Sequence, residues 1–371
     1  DVLGLALDLD SSTKTLKFYK ADGTLANTHT ISSTNALFPA GGIYNSSVSN
    51  EYQIYNFGAR PFNRSAPSGY KALNTASLPD PTIADGSTAF DAKLYVGNGS
   101  TQTISGYNFS PDIVWGKGRN TSSDHTIFDT VRGATKLMYP NATDAESTIP
   151  DALTAFTSDG FSLGSNSVSN TNTTNYVAWA WDAGSSTATN TDGTISAQVR
   201  ANPSNGFSII TMTMPSVTSA TIGHGLNAAP AFYLWKDRDS GGHWYVYHKD
   251  ITAGAYLMLN RTNGSTNDTA IWNNTDPTST VINTGGTFTN SGSTVVYAWA
   301  EVDGFSKFGS FTGNSSTDGV YQFTGMRPRW LMIKRIDSTG SWWMWDSARS
   351  TFNVADEVLR SDDAAQENTY A

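Results

Sequence analysis

Pro111-Asp-Ile-Val-Trp-Gly-Lys117, Pro230-Ala-Phe-Tyr-Leu-Trp-Lys236 and Pro328-Arg-Trp-Leu-Met-Ile-Lys334 are three copies of one phrase. Each runs from a proline through large apolar residues to a lysine six positions on. A second aromatic run follows and ends in a polar residue eighteen positions after the proline, at Phe128-Asp129, Tyr247-His248 and Trp345-Asp346. Copies one and three share the next step too, Asp129-Thr-Val-Arg132 and Asp346-Ser-Ala-Arg349, at a constant offset of 217 positions. Such repetition means an array of similar β units, and arrays of this kind usually present surfaces rather than catalyse reactions.

Each copy is set in a longer unit. A full unit opens with a Phe-led strand and a Gly-Asn turn, as at Phe90 with Gly97-Asn98 and Phe305 with Gly313-Asn314. Copies one and two close on an Ala-Trp-Ala strand, which aligns Trp179 with Trp299. An Asp-Gly-Phe-Ser string recurs at Asp159 and Asp303, with Asn205-Gly-Phe-Ser208 a close variant. Short strands joined by Gly and Asn turns predict an all-β chain of tandem β-sandwich modules, jelly-roll or concanavalin-like. The expected boundaries are a partial sandwich over 1–72, a linker over 73–88, repeat 1 over 89–185, repeat 2 over 186–303 and the start of a truncated repeat 3 over 304–371. Helix is expected only as short surface turns within 143–155 and 354–366.

The first segment reads as a hairpin. Val2-Leu-Gly-Leu-Ala-Leu-Asp-Leu9 is an apolar strand, Leu16-Lys-Phe-Tyr19 the return strand, and Asp22-Gly23 the next tight turn. Gly4-Leu-Ala-Leu-Asp8, Leu16 to Lys20, Phe38-Pro39-Ala40 and Asn56-Phe57-Gly58 together resemble the C-terminal half of a SPRY domain, a concanavalin-like sandwich. The family's N-terminal strands are missing from the chain. The repeats carry a second, wider resemblance over about residues 76–371. Phe128-Asp-Thr-Val-Arg-Gly-Ala-Thr135, Ser158-Asp-Gly-Phe-Ser-Leu-Gly164, Tyr176-Val-Ala-Trp-Ala-Trp181 and Trp272-Asn-Asn-Thr-Asp-Pro277 are similar to a repeat domain of long virion proteins of marine tailed phages, especially cyanophages. That resemblance implies a place, a tail fibre or appendage, more than a mechanism. It implies other virion subunits as partners, a homotrimer as the expected assembly, and a host-surface glycan as the ligand to look for. A carbohydrate-binding receptor tip, a capsid decoration protein, a polysaccharide-degrading spike and a bacterial surface adhesin or filament stay open beside it.

Composition narrows the classes. Only 15% of the 371 residues are charged, against roughly 25% in ordinary soluble domains, while aromatics reach 12%. The net charge of −9 offers no basic stripe to displace counterions from nucleic acid. There is no cysteine, hence no disulfide, thiolate nucleophile or Cys-based zinc site. No apolar run approaches the roughly 18 residues of a membrane span, so no membrane insertion is expected. The chain opens on Asp1 rather than Met and its third repeat stops at Ala371, so it is expected to be a piece of a larger polypeptide.

No catalytic residue, metal or cofactor is expected. His243-Trp-Tyr-Val-Tyr-His248 places its two histidines on opposite faces of a strand, and His248 fills the slot of Asp129 and Asp346, which suggests a shared structural role. The pairs Asp129/Arg132 and Asp346/Arg349 could clamp a glycan; capping a turn at the strand exit is the plainer reading. Asp8/Asp10 and Asp237/Asp239 faintly suggest calcium loops, but both fall in hairpin turns. None of the five glutamates stands in a motif with another carboxylate, as glycoside hydrolysis requires. Lys117, Lys236 and Lys334 are expected to snorkel where strands leave the core, and their recurrence makes them candidates for a repeated contact. Trp342-Trp343-Met-Trp345 alternates faces; an uncovered Trp343 face would be a sugar platform or a subunit interface, with Arg327, Arg329, Lys334 and Arg335 beside it.

Overall fold

The computed structural model describes residues 4–8, 11–32, 56, 57, 60, 62, 65–72, 81–251, 253–288 and 292–369. The chain forms two compact units, Asp1–Pro79 and Asp80–Ala371. In the first, β1 (Gly4–Asp8), β2 (Thr15–Tyr19) and β3 (Leu25–Thr30) make an antiparallel meander. The hairpin register pairs Gly4 with Tyr19, and Gly23 adopts the positive φ that an Asp-Gly turn needs. Phe38-Pro39-Ala40 and Gly58 lie outside the described residues.

The second unit is antiparallel β throughout. Repeat 1 supplies β4 (Phe90–Val96), β5 (Gln102–Ile104), β6 (Ile113–Gly118), β7 (Thr126–Asp129), β8 (Gly133–Met138), β9 (Ser147–Thr148), β10 (Leu153–Thr157), β11 (Gly160–Leu163) and β12 (Asn175–Trp181). Repeat 2 supplies β13 (Thr187–Asn190), β14 (Ala197–Asn202), β15 (Phe207–Met214), β16 (Ala220–Gly223), β17 (Pro230–Asp237), β18 (Tyr245–His248), β19 (Ala255–Met258), β20 (Thr266–Asn267), β21 (Val281–Thr284) and β22 (Gly292–Ala300). Repeat 3 supplies β23 (Trp330–Lys334), β24 (Trp342–Asp346), β25 (Glu357–Arg360) and β26 (Asn368–Thr369). The main sheets run β4-β12-β6-β7-β8-β9, β13-β14-β15-β22-β17-β18-β19-β20 and β23-β24-β25-β26. The Pro-to-Lys phrase is therefore a strand at the heart of repeats 1 and 2 and an edge strand in repeat 3.

Period-two alternation decides which side chains go where. Ile113 and Trp115, Phe232 and Leu234, and Trp342 and Met344 all enter one core shared by the three repeats. The opposite faces enter separate cores. In repeat 1, Val114, Phe128 and Ala178 pack on a second sheet, β10-β11-β5, through Leu153, Phe161 and Ile104. In repeat 2, Tyr233, Trp235 and Val296 pack with Trp272, Phe288 and the β16-β21 pair. Burial on both faces is why these strands read as unbroken apolar runs. Repeat 3 has no second sheet among the described residues, and Leu331 of β23 is 40% exposed where its counterpart Tyr233 is 0%.

The three repeats close on one another in a cycle. The loop after the third strand of each main hairpin set is held by the first turn of the next repeat. Gly242 N donates to Thr143 O (2.7 Å), Gly340 N to Thr262 O (2.8 Å), and Ser123 N to Ala364 O (2.9 Å). Three residues on, Glu146 N donates to Arg238 O (2.8 Å), Ser265 N to Ile336 O (2.8 Å) and Glu367 N to Arg119 O (2.7 Å). The same heterologous contact made three times, with closure, is a pseudo-threefold arrangement inside one chain. The modules are not a string of beads; they share a centre.

Three expectations are corrected. Residues 143–155 and 354–366 hold no helix: they carry β9 with the start of β10, and β25. The described α-helix is Ser167–Asn170, capped by Asn166. Phe305 starts no strand, because its counterparts β4 and β15 pair with β12 and β22, and repeat 3 has no such neighbour among the described residues. Finally, Trp179 and Trp299 are not equivalent. Trp179 faces Trp115, whereas Trp299 faces Phe232, the counterpart of Ile113, so Trp179 matches Tyr297 and Trp181 matches Trp299. A slip of two preserves the inward face, so the string alone aligns both ways.

Candidate functional site

The recurring polar residues converge on the seams between repeats. Lys117 and Lys236 do not snorkel; they are 1% and 0% exposed. Being on the inward face, each ammonium turns to backbone carbonyls at a seam. Lys117 Nζ donates to Gly118 O (2.6 Å), and Lys236 Nζ to Asp237 O (2.7 Å). Lys334 Nζ, less buried, reaches Gly340 O (2.7 Å), Arg335 O (2.9 Å) and Thr262 O of repeat 2 (3.0 Å). Burial pushes Lys117 and Lys236 down to about 8, against neighbouring carboxylates that pull the other way. Burial lowers Lys334 as well.

The Asp/Arg pairs are seam anchors too. Asp129 caps its turn by accepting from Val131 N and Arg132 N, and pairs with the Arg132 guanidinium, both side chains being fully buried. Arg132 also donates to Ile127 O (3.2 Å), Lys136 O (3.1 Å) and Glu146 (2.9 Å). Burial works against its charge, but Asp129 and Glu146 outweigh it and hold the guanidinium protonated. Repeat 3 duplicates this: Asp346 accepts from Ala348 N, Arg349 N and Arg349 Nε (2.6 Å), and Arg349 reaches Glu367 (3.0 Å) and Met344 O (3.1 Å). Each aspartate receives one more donor from another repeat. Tyr297 of repeat 2 donates to Asp129 (2.6 Å), and Trp179 of repeat 1 to Asp346 (2.9 Å). The plainer reading, a turn cap, holds for both pairs.

His248 is the third member of that set. Its Nδ1 accepts from Asp250 N (3.1 Å), and its ring lies 6.4 Å from those of Phe232 and Phe308. Burial depresses its proton affinity. His243 is not on β18 but bonds Asn260 beside it (3.1 Å). No group of three His, Asp or Glu poised for a metal exists among the described residues. Asp8 and Asp237 direct their carboxylates to Ser11 and Ser240 in Asx turns, as the turn reading required.

The tryptophans divide cleanly. Trp342 enters the shared core and donates from Nε1 to Met258 O (2.9 Å). Its counterpart Trp244 donates to Tyr139 O (2.9 Å). The third counterpart is His125, whose Nδ1 accepts from Trp115 Nε1 (3.0 Å), so that Nε2 bears the proton and donates to Arg360 O (2.9 Å). This neutral tautomer imitates an indole, and burial holds its pKa well below the ordinary histidine value. Trp343 and Trp345 point to the other face, half-buried and stacked on each other at 6.1 Å and 16°. The basic patch around them is largely paired: Arg329 bonds Asp91 (2.6 Å) and Arg335 bonds Asp337 (2.7 Å), while Arg327 is exposed.

Two features escaped the sequence reading. Asp112 is fully buried, takes Ala183 N, Thr130 Oγ1 and the Arg200 guanidinium (2.7 Å), and is lifted by burial to about 6. Sealed from solvent, it can hold repeats 1 and 2 together but reach no substrate. The other is a carboxylate pair. Glu357 and Glu367 both meet Arg119, at 3.2 and 2.7 Å, beside a pocket of about 390 Å³ lined by Arg119, Asn120, Asn175, Gln366 and Glu367. Burial and the nearby Glu367 raise Glu357. Glu367 is duplicated by Glu146, which meets Arg238 and Arg132 identically at the next seam, so its geometry is that of a tie. The recurrence of Arg119 at Arg238 was visible in the repeat offset. That of Glu146 at Glu367 was masked by four extra residues in the loop of repeat 3.

A family model described as "Domain of unknown function (DUF7483)" matches residues 85–371. No curated protein and no solved structure matches the chain.

Proposed function

The chain belongs to the DUF7483 family, and we propose that it is a non-enzymatic structural component of a tailed-phage virion, in a tail fibre or appendage that contributes to host-surface adhesion. One observation carries the structural part of this reading: the charged residues that recur between repeats converge on the ties between them. Lys236, Arg238, Glu146, Arg132 and Asp129 serve one seam, and Arg119, Glu367, Arg349 and Asp346 serve another. A closed body of stacked strands with polar ties in its seams resists shear along many hydrogen bonds at once. The virion and the appendage come from the likeness of the repeat motifs to those of marine phage virion proteins. Other virion subunits are the proposed partners, and a homotrimer of chains remains the proposed assembly.

A second reading rests on Trp343 and Trp345. Two parallel-stacked indoles beside exposed Leu331, the cross-strand partner of Trp345, offer an apolar face of the kind on which sugar rings stack, so a receptor-binding role toward a host-surface glycan is the runner-up. Antibody against residues 85–371, imaged on intact particles by cryo-electron microscopy, tests the first reading. Label on the tail supports it, label over the capsid makes the chain a decoration protein, and particles without label leave a bacterial surface adhesin or filament. Binding to host polysaccharide that is lost in Trp345→Ala would promote the glycan reading.

A further inference from the structure

We propose that the free edge of β23 is a docking site for a β-strand of the β12/β22 type, in which inward Val, aromatic and Trp residues alternate with outward small ones. The inference stands apart from the virion reading, since it rests on the symmetry of the second unit alone.

The equivalent strands define the vacancy. β6 is flanked by β12 and β7, β17 by β22 and β18; β23 has β24 on one edge and no strand on the other among the described residues. Arg329 O accepts from Ser347 N, so by the alternation of an antiparallel ladder Arg329, Leu331 and Ile333 turn their backbone groups to β24. Trp330, Met332 and Lys334 turn theirs to the open side. The sister positions agree: Arg119 N bonds Asn175 O of β12, and Arg238 N bonds Ser293 O of β22. Burial follows pairing. Every residue of β6 is buried and all but one of β17, whereas none of β23 is.

The cycle also specifies one side chain of the occupant. Trp179 on β12 reaches Asp346, and Tyr297 on β22 reaches Asp129; the same step from β23's missing neighbour ends at His248. Because His248 Nδ1 already accepts from Asp250 N, the neutral ring carries its proton on Nε2. The occupant's residue opposite Met332 must therefore accept a hydrogen bond. A tyrosine hydroxyl, as at Tyr297, can do so; an indole N–H, as at Trp179, cannot.

The test uses the 371-residue chain and a dye-labelled synthetic peptide, Ser-Thr-Val-Val-Tyr-Ala-Trp-Ala, copied from β22 and flanked by lysines for solubility. Anisotropy should show saturable 1:1 binding, and the melting temperature should rise. Hydrogen exchange at the amides of Trp330, Met332 and Lys334 should slow on binding, having been faster than at Ile113, Trp115 and Lys117 in the free protein. The same peptide N-methylated at the residues matching Val295 and Tyr297 keeps every side chain but loses two edge hydrogen bonds. It should bind at least about tenfold more weakly. A Tyr→Trp peptide should also bind more weakly than the parent. Absence of saturable binding at millimolar peptide, equal binding of the N-methylated peptide, or protection elsewhere than β23 overturns the proposal. So does dimerisation of the chain through β23 that the peptide fails to compete.

Discussion

β6 and β17 are buried ribbons; β23, written in the same residue pattern, is an edge with an exposed leucine. The local chemistry is alike, so the difference comes from neighbours. Repeats 1 and 2 bring their own flanking strand and covering sheet; repeat 3 has neither among the described residues and leans inward only. What keeps β23 and β24 in place is the seams: Trp342 to Met258 O, Gly340 to Thr262 O and Lys334 to the same carbonyl on one side, and Trp179 of repeat 1 to Asp346 on the other. A repeat lacking half of its own sandwich can thus be ordered by a cyclic contact.

The seam anchors are the place to break that comparison hardest. Arg132→Met should leave Asp129 as an uncompensated buried charge and strip Glu146 of one partner, costing about 3–5 kcal/mol in urea unfolding. In repeat 2 the counterparts are His248 and Ile251, a neutral set, and Ile251→Ala should cost about half as much or less. Equal losses at the two positions would mean that the ion pair adds nothing to the seam.

Next comes the outward face. Tyr233→Ala opens a cavity among Tyr247, Trp272 and Phe288 and should cost about 3–5 kcal/mol, while Leu331→Ala at the matching position should cost under about 1 kcal/mol. A large loss at Leu331 would show that something already covers it in solution, and would remove the contrast.

Much of this was legible beforehand. The triple phrase revealed equivalent strands, and the Asp129, His248 and Asp346 slot revealed an equivalent position, because strand periodicity maps directly onto side-chain direction. The cycle was not legible. Gly242 and Gly340 match but Ser123 does not, and their shared role is played by a backbone N–H that every non-proline residue carries. Nor could His125 be matched to Trp244 and Trp342 by residue type, since the shared property is one N–H aimed at one carbonyl. The lysines misled for a related reason. A lysine at a strand end usually reaches water, but here the next repeat arrives first.

Those single N–H donors allow a finer test. Trp244→Phe and Trp342→Phe keep most of the buried ring and orphan Tyr139 O or Met258 O, so each should lower stability by about 1–3 kcal/mol. If the cycle is one cooperative unit, the double variant should show a coupling beyond the sum of the two. Strict additivity would mean that the seams open independently.

The lysines provide the smallest and most selective effect, on the pH dependence of stability. In the unfolded chain a lysine titrates near 10.4, whereas burial lowers Lys117 and Lys236 to about 8 in the folded protein. Between those values the unfolded chain binds more protons than the folded one, so stability rises with pH from about 8 to about 10. Below pH 8 both states are protonated and the lysines contribute no slope. Above pH 10 the trend turns, because Tyr95, Tyr107, Tyr233 and Tyr297 are pushed well above 10 by burial and the unfolded tyrosines ionise first. The gain from each lysine is of order 1–2 kcal/mol, read as a shift in the urea midpoint between pH 8 and pH 10. Lys117→Met should remove about half of that slope, and Lys334→Met should leave most of it, since the edge strand keeps its lysine partly in water. If Lys334→Met flattens the curve as much as Lys117→Met, then β23 is as enclosed as β6, and the comparison on which the open edge rests fails with it.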